Sequence, residues 1–224
     1  METAILRAKK VDPSDRIGKE TACRPCSTMH RKKLAYRAVK RLFDITIAAM
    51  GLLVLGIPMA LVALLIRLDS RGPAIFKQER MGRDEKPFVM YKFRTMQMCA
   101  PDNVATNEFI NANAYITRFG RFLRNTSLDE LPQLFNVLRG DMSLVGFRPV
   151  CLTEMMLNQY RKDLGVFTVK PGMTGLAQVS GRDDINAETK AAMDAEYAQR
   201  QSVWLDIWCL YKTLGTVLSQ KGVR

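Results

Sequence analysis

Two adjacent acidic residues, Asp129 and Glu130, lie in the middle of a chain of 224 residues. Neighbouring carboxylates can supply a nucleophile and a ligand for a divalent metal ion. The arginines on either side of the pair are Arg118, Arg121, Arg124, Arg139 and Arg148. Guanidinium groups bind phosphate through two parallel hydrogen bonds, and a helix N-terminus also binds anions. The residue types and their spacing therefore indicate chemistry on a diphosphate.

A structural role explains the acids equally well. Apolar residues at helical spacing predict a helix over residues 127–138. Ser127 and Glu130 then fit a capping box, and acids in a first turn interact favourably with the helix dipole. Arginines mixed with acids also occur on any solvated surface. From this segment alone capping is the simpler interpretation, and a catalytic role needs support from elsewhere in the chain.

Composition and charge limit the class of protein. The length suits one domain plus an anchor or tail, and the net charge of +12 suits a polyanionic partner. That partner could be nucleic acid, an anionic membrane or a phosphorylated substrate. Five cysteines without regular spacing argue against a disulfide framework. Cys23, Cys26 and His30 resemble half of a zinc site, but no second cysteine pair follows, so we do not expect a metal there.

An apolar segment at residues 45–66 contains no charged side chain and could span the roughly 30 Å apolar core of a bilayer. The alternative is a buried helix, but a helix apolar on every face needs a larger protein to cover it. Pro58 near its middle favours a kink. Basic residues flank both ends, at residues 31–41 and at Arg67 and Arg71, which places both ends on the cytoplasmic side. A re-entrant helix satisfies both observations.

The elements that must position the acids follow this segment. Residues 74–80 and 87–93 flank a turn and predict a β-hairpin, and residues 97–113 read as a loop. Further helices are predicted over residues 188–201 and 203–218. The second carries Trp204, Trp208 and Tyr211 on one stripe, which suits a membrane interface or an ordinary core equally well.

The predicted fold is therefore α+β and mostly helical. It combines a re-entrant membrane helix hairpin with a small cytoplasmic domain that contains a β-hairpin and amphipathic interfacial helices. Residues 1–31 are predicted to form a mobile N-terminal tail, residues 32–71 the basic flank and membrane helix, and residues 72–224 the catalytic domain.

Several motifs occur in a characteristic order after Asp44 and the apolar segment. They are YKFRTM at residues 91–96, SLDELPQLFNVLRGDMS at 127–143, VGFRP at 145–149, KPGMTG at 170–175 and QVSGR at 178–182. In this order they resemble the short form of the bacterial sugar transferases, the monotopic polyprenyl-phosphate phosphoglycosyl transferases. The resemblance extends from about Lys40 to Lys212.

The resemblance implies a mechanism in two displacements. In that family the first acid attacks the β-phosphate of a nucleoside-diphosphate sugar, usually a uridine one, and polyprenyl phosphate then removes the sugar phosphate. By motif position the nucleophile is Asp129 and the Mg²⁺ ligand is Glu130. The implied phosphate contacts are Lys92, Arg124 and Arg148. Asp141 and Arg182 are either supporting residues at the substrate site or residues that brace a loop.

The resemblance also implies a setting: the cytoplasmic face of a bacterial inner membrane with anionic lipids. There the enzyme would catalyse the first membrane step of exopolysaccharide, capsule or other surface-glycan synthesis. No nucleic-acid signature accompanies the charge, so no nucleic-acid partner is expected. A homo-oligomer and the identity of the sugar stay open. A non-catalytic membrane scaffold is the alternative hypothesis, and it would tolerate loss of the acids.

Two residues depart from the family's usual pattern. Ile57 precedes Pro58 where a serine is usual, which removes a hydroxyl that could satisfy a broken helical turn. Phe147 precedes Arg148 where a proline is usual. The second departure bears on how Arg148 is placed.

Overall fold

A computed structural model describes residues 26–100, 112–180 and 185–219 of the chain. The chain divides into two units, Met1–Ala35 and Tyr36–Arg224, and every predicted site residue belongs to the second. Of the predicted N-terminal tail, residues 1–25 lie outside the described residues, whereas residues 26–31 already belong to the first helix. The predicted domain boundaries at residues 31 and 71 stay predictions.

The described residues form helices joined by two small sheets. The helices are α1 Cys26–Asp69, α2 Ala112–Tyr115, α3 Arg118–Thr126, α4 Gln133–Arg139, α5 Met155–Asp163, α6 Leu176–Ser180, α7 Ala187–Arg200 and α8 Val203–Ser219. The strands are β1 Ile75–Met81, β2 Pro87–Phe93, β3 Ser143–Val145 and β4 Gly172–Thr174. Short 3₁₀ turns cover Arg83–Glu85, Leu128–Glu130 and Val166–Thr168. The mostly helical α+β prediction is confirmed.

The predicted β-hairpin is present, because β1 pairs antiparallel with β2 from Ile75 opposite Phe93 to Met81 opposite Pro87. The helices predicted over residues 188–201 and 203–218 correspond to α7 and α8. The parallel pair β3 and β4 was not predicted. Each of these strands has three residues, which is too short to show the alternation by which a strand is recognised.

α1 continues as helix through Pro58 and is long and apolar enough to cross a membrane. Among the described residues it is the one helix that meets this criterion. Its outer surface presents Leu53, Val54 and Ile57, each more than two-thirds exposed. This exposure excludes, for most of the length of α1, the alternative that the apolar segment is a buried helix. The re-entrant hairpin stays a prediction, since α1 is one continuous helix.

The rest of the chain contacts α1 at both ends of the apolar segment. Near the start, Arg41 donates to the main-chain oxygens of Val137 (2.6 Å) and Leu138 (2.8 Å), and the Leu144 N–H donates to Asp44 Oδ1 (3.1 Å). At the far end, Arg94 Nη2 donates to the Ser70 oxygen at 2.6 Å. These arginines donate to carbonyls near the C-terminal ends of α4 and α1, where main-chain oxygens lack helical partners. Residues that follow α1 in the chain therefore pack against it at both ends of its apolar segment.

Candidate active site

The acid pair lies in a 3₁₀ turn and does not open a helix. α3 ends at Thr126, and Ser127 adopts a left-handed conformation (φ 56°) as the residue that caps it. An N-cap residue needs extended backbone, so Ser127 cannot serve as one, and its side chain makes no capping hydrogen bond. α4 begins only at Gln133. The predicted start of the helix at Ser127 and its capping box were therefore wrong, whereas residues 133–138 of the prediction lie in α4.

The prediction failed because it missed α3. Thr117 begins that helix, and its Oγ1 accepts a hydrogen bond from the Gly120 N–H at 2.9 Å. Ser127 thus falls at the end of one helix instead of the start of the next. A threonine followed by Phe119 and Leu123 at helical spacing was a signal that could have predicted this helix.

Apolar residues on either side of the acids determine where they point. Leu128 and Leu131 pack against a buried cluster that contains Met59 of α1, Phe93 of β2 and Leu123 of α3. These two leucines are partly buried, and so are Asp129 and Glu130 between them. Hydrophobic contacts with three elements, including the apolar helix, therefore place both carboxylates.

Glu130 contacts two of the predicted phosphate-binding residues. Its Oε1 accepts hydrogen bonds from Lys92 Nζ at 3.0 Å and from Arg148 Nη2 at 3.1 Å. Burial acts to raise the pKa of Glu130, but the attraction of Lys92 and Arg148 outweighs it and holds that pKa well below its usual range. Glu130 is therefore ionised at neutral pH.

The pKa of Asp129 is shifted in the opposite direction, above its usual range. Burial raises its pKa, and the neighbouring Glu130 charge adds to the rise, while Lys92, Arg124 and Arg148 oppose it. Two adjacent carboxyl groups whose environments separate their pKa values are a mark of different chemical roles. Asp129 is the more basic carboxylate and Glu130 the permanent anion.

Arg124 approaches the acids from α3. Its Nε donates to Thr95 Oγ1 at 3.0 Å, and Asp129 interacts with its charge. Burial lowers the pKa of Arg124, although an arginine remains charged in proteins. Thr95 was not predicted as a site residue. Its position inside the YKFRTM motif, beside Lys92, was the signal that could have identified it.

Asn136 fixes the strand that carries Lys92. This fully buried amide accepts from the Tyr91 N–H at 3.0 Å and donates to the Val89 oxygen at 2.7 Å. It therefore joins α4 to β2 and holds Lys92 opposite Glu130. Asp141 lies beside it: within the described residues its partners are Asn136 (3.4 Å) and Arg139 (3.5 Å).

A substrate contact of Asp141 stays a prediction. Arg182 lies outside the described residues. The structure thus brings Lys92, Arg148 and Glu130 into direct contact and places Arg124 and Asp129 within electrostatic reach of them. Sequence reasoning missed Thr95 and the role of Asn136.

The donor set fits a magnesium ion that binds together with substrate. Among the described residues no group of three or more His, Cys, Asp and Glu side chains could hold a metal. Mg²⁺, however, commonly uses one or two carboxylates, with substrate phosphates and water supplying the other ligands. Asp129 and Glu130 supply two adjacent carboxylates, and Lys92 and Arg148 both donate to the same oxygen of Glu130, Oε1.

We expect near-isosteric substitutions of the two acids to have different effects on stability at neutral pH. Glu130→Gln should lower the free energy of unfolding by about 1.5–3 kcal/mol, the range for hydrogen bonds to charged groups. Because the pKa of Glu130 is lowered by folding, this loss should fade as pH falls through that pKa.

Asp129→Asn should leave stability unchanged or increase it, because the fold raises the pKa of Asp129 and so disfavours its ionised form. The gain should disappear near the ordinary pKa of aspartic acid, where the native side chain is also protonated. Thermal unfolding of both variants at several pH values measures the difference. Equal destabilisation by both variants at neutral pH would contradict the assigned electrostatics.

The chain belongs to the bacterial sugar transferase family, because the model of that family matches residues 35–220. This confirms the resemblance found in the motifs. The chain is 44% identical over 206 residues to a UDP-galactose-lipid carrier transferase of Erwinia amylovora, covering 85% of this chain and 42% of that protein. It is 42% identical over 205 residues to an undecaprenyl-phosphate galactose phosphotransferase of Salmonella typhimurium, with the same coverage.

A third relative matches this chain in length. The uncharacterized sugar transferase EpsL of Bacillus subtilis is 39% identical over 186 residues, which cover 83% of this chain and 90% of that protein. By contrast, the chain spans less than half the length of the two relatives named for galactose. The matched region is therefore the sugar transferase region of those longer proteins.

Proposed function

We propose that this chain transfers a sugar 1-phosphate from a nucleoside-diphosphate sugar, most simply a UDP sugar, to undecaprenyl or another polyprenyl phosphate. The observation that carries the proposal is the pair Asp129 and Glu130 at the meeting point of Lys92, Arg124 and Arg148. The three cations come from separate elements, β2, α3 and the loop after β3. Two of the most similar relatives are named for transfer to a lipid carrier or to undecaprenyl phosphate.

In the first step a carboxylate oxygen of Asp129 attacks the β-phosphorus of the donor. A new oxygen–phosphorus bond forms, the bond from that phosphorus to the bridging oxygen breaks, and the nucleoside monophosphate leaves with the electron pair. The raised pKa of Asp129 makes its carboxylate more basic, while the charges of Lys92, Arg124 and Arg148 act to lower that pKa. Lys92, Arg124 and Arg148 stabilise charge on the transferred and leaving phosphates.

In the second step a phosphate oxygen of the polyprenyl phosphate attacks the phosphorus held by Asp129. The aspartyl–phosphate bond breaks, Asp129 regains its carboxylate, and a sugar diphosphate lipid is released. One site can thus serve a soluble donor and a lipid acceptor in turn. Glu130, with Asp129 beside it, would hold Mg²⁺, and the ion would offset negative charge on the diphosphate.

A donor screen tests this proposal. Purified protein would be incubated with undecaprenyl phosphate, Mg²⁺ and a panel of sugar nucleotides that includes UDP-galactose and UDP-glucose, and release of nucleoside monophosphate would be followed. We expect release from at least one UDP sugar in turnover amounts only when the lipid phosphate is present. Absence of release from every donor would favour the non-catalytic scaffold instead.

The proposed activity needs the site to lie at a membrane surface, and the packing of α1 supports this. Both ends of its apolar segment contact the same domain, at Asp44 and at Ser70. A straight crossing would move one of these ends to the opposite side of the bilayer from the domain it contacts. We infer that α1 enters and leaves by one face, the cytoplasmic face of the bacterial inner membrane, with Leu53, Val54 and Ile57 towards lipid.

α8 supports the same arrangement. Trp204, Tyr211 and Leu214 on this helix are each at least 65% exposed, whereas Cys209 is buried. The predicted stripe is therefore largely on the surface, which favours the interfacial reading over an ordinary core. An aromatic belt on a helix from a strongly basic chain suits a membrane with anionic lipids.

Cysteine labelling tests the topology. We expect Ala38→Cys and Arg71→Cys, both at exposed positions, to be labelled by a membrane-impermeant maleimide only after cells are opened. The background would carry serine at the native Cys23, Cys26 and Cys99 positions. Gly72 is unsuitable because its φ is +120° and an added Cβ would collide with Arg94. Labelling of one of the two positions in intact cells would rule out a same-face α1.

A further inference from the structure

Two buried charged residues that take no part in the proposed chemistry lie behind Arg148. Arg161 of α5 and Asp194 of α7 have side chains only 2% and 1% exposed. Arg161 Nε and Nη2 both donate to Asp194 Oδ2, at 2.9 and 2.6 Å. The remaining guanidinium nitrogen, Nη1, donates to the main-chain oxygen of Arg148 at 2.9 Å. One side chain therefore joins a buried carboxylate to the backbone of a site residue.

Phe147 completes this arrangement. Its fully buried ring lies 5.2 Å from the Arg161 guanidinium carbon and meets the Phe167 ring edge-on at 5.5 Å. Its main-chain oxygen accepts from the Gly172 N–H at 2.8 Å. The residue that departs from the usual proline is thus anchored by packing, and the backbone entering Arg148 is held on both sides.

Stability alone does not explain the pair. Burying two charges costs desolvation free energy, and apolar residues of similar volume often replace such pairs without loss of stability. The neighbouring loop residues use main-chain partners instead: Gly146 N–H donates to the Thr174 oxygen, and Met81 N–H to the Val150 oxygen. The Arg148 carbonyl instead accepts one hydrogen bond from a charged group, Arg161 Nη1, and this hydrogen bond is what an apolar pair would lose.

We propose that Arg161, held by Asp194, is a positioning residue for Arg148. It fixes the backbone from which the Arg148 guanidinium reaches Glu130 at 3.1 Å and, under the proposed function on which this inference rests, the donor diphosphate. The Arg148 side chain is 47% exposed, so the position of its backbone helps to determine where its guanidinium lies.

A double-mutant cycle tests the proposal. The apolar replacement Arg161→Met with Asp194→Leu would be made in the native chain and in an Arg148→Ala background. In the native chain we expect kcat/KM for the donor to fall about 10- to 100-fold, since misplacing a site residue by about 1 Å has this scale of effect. UDP binding measured by calorimetry should weaken in parallel.

In the Arg148→Ala background the same replacement should change kcat/KM and UDP binding by less than about twofold, because the residue it positions is already absent. Equal losses in the two backgrounds, in protein that melts like the native chain, would overturn the positioning role. Lys162→Met is the matched control: it lies next to Arg161 on α5, is exposed and pairs with Glu85, so it should leave both measurements unchanged.

A conservative variant covers the case in which the apolar replacement fails to fold. Arg161→Lys keeps a charge for Asp194 but has a single ammonium and lacks the planar fork. This variant should fold and show a smaller loss of kcat/KM for the donor, and that loss should disappear in the Arg148→Ala background. A loss of kcat/KM that persists in the Arg148→Ala background would overturn the proposal. A native chain that neither binds UDP nor releases nucleoside monophosphate would instead overturn the proposed function, and this inference with it.

Discussion

Asp129→Asn is expected to abolish sugar-phosphate transfer, lowering the rate of nucleoside monophosphate release by about 10⁴- to 10⁶-fold, the range seen when a catalytic nucleophile or its partner is removed. Asparagine is nearly isosteric, and the turn is held by Leu128 and Leu131, so the site should keep its shape. The amide offers no anionic oxygen to form the new bond to phosphorus. The loss should therefore lie in chemistry and leave UDP binding largely intact.

Two measurements separate the possible outcomes. Donor turnover gives the rate, and mass spectrometry of the intact protein incubated with donor but without lipid phosphate detects the added sugar phosphate. The native chain should gain this mass and Asp129→Asn should not. Asp163→Asn, an exposed aspartate on α5 bonded to Gln159, should behave like the native chain. Full turnover by Asp129→Asn would show that the donor phosphate passes directly to the lipid.

Lys92→Met is expected to have the second-largest effect, a loss of about 10²- to 10³-fold in kcat, as for removal of one preorganised donor from an active site. Lys92 Nζ donates to Glu130 Oε1 and also opposes the rise in the pKa of Asp129. Its removal takes away a phosphate-binding cation and leaves Asp129 harder to ionise.

The pH dependence distinguishes this variant from a general structural defect. Asp129 must be ionised to attack, so activity falls as pH drops through its pKa. Removing Lys92 takes away a charge that lowers this pKa, so the pKa rises further and the acid limb of the pH–rate profile should move to higher pH. The exposed Lys162→Met should leave the limb unchanged. If Lys92→Met lowered the rate at every pH without moving the acid limb, the proposed coupling of Lys92 to Asp129 would be contradicted.

For the acid pair, neighbouring residues in sequence predicted some features correctly and others wrongly. The residue types predicted chemistry on a diphosphate, and the order of the motifs identified the family, because both are properties of neighbouring residues in sequence. The predicted start of a helix at Ser127 was nevertheless wrong. Ser127 satisfies the composition of a cap, but its conformation follows from where α3 ends and from how Leu128 and Leu131 pack on α1. Such contacts join residues far apart in sequence.

The surroundings of Phe147 also depend on contacts between residues that are far apart in sequence. As a departure from the usual proline, it put the placement of Arg148 in question. In the structure its ring is fully buried against Phe167 and beneath Arg161, and Arg148 still reaches Glu130. No local pattern near residue 147 indicates that α5 and α7 supply the pair that anchors the following carbonyl.

The sequence by itself determined the hairpin, α7, α8, the apolar segment and the set of cations, because periodicity, turn residues and charge are local properties. The tertiary structure decided which of those cations contact Glu130, how Asn136 joins α4 to β2, and what holds Arg148. Those outcomes depend on pairings across tens of residues, such as Lys92 with Glu130 and Arg161 with Asp194. They form only when burial of the leucines and of Phe147 brings separate elements together, since chain entropy otherwise keeps them apart.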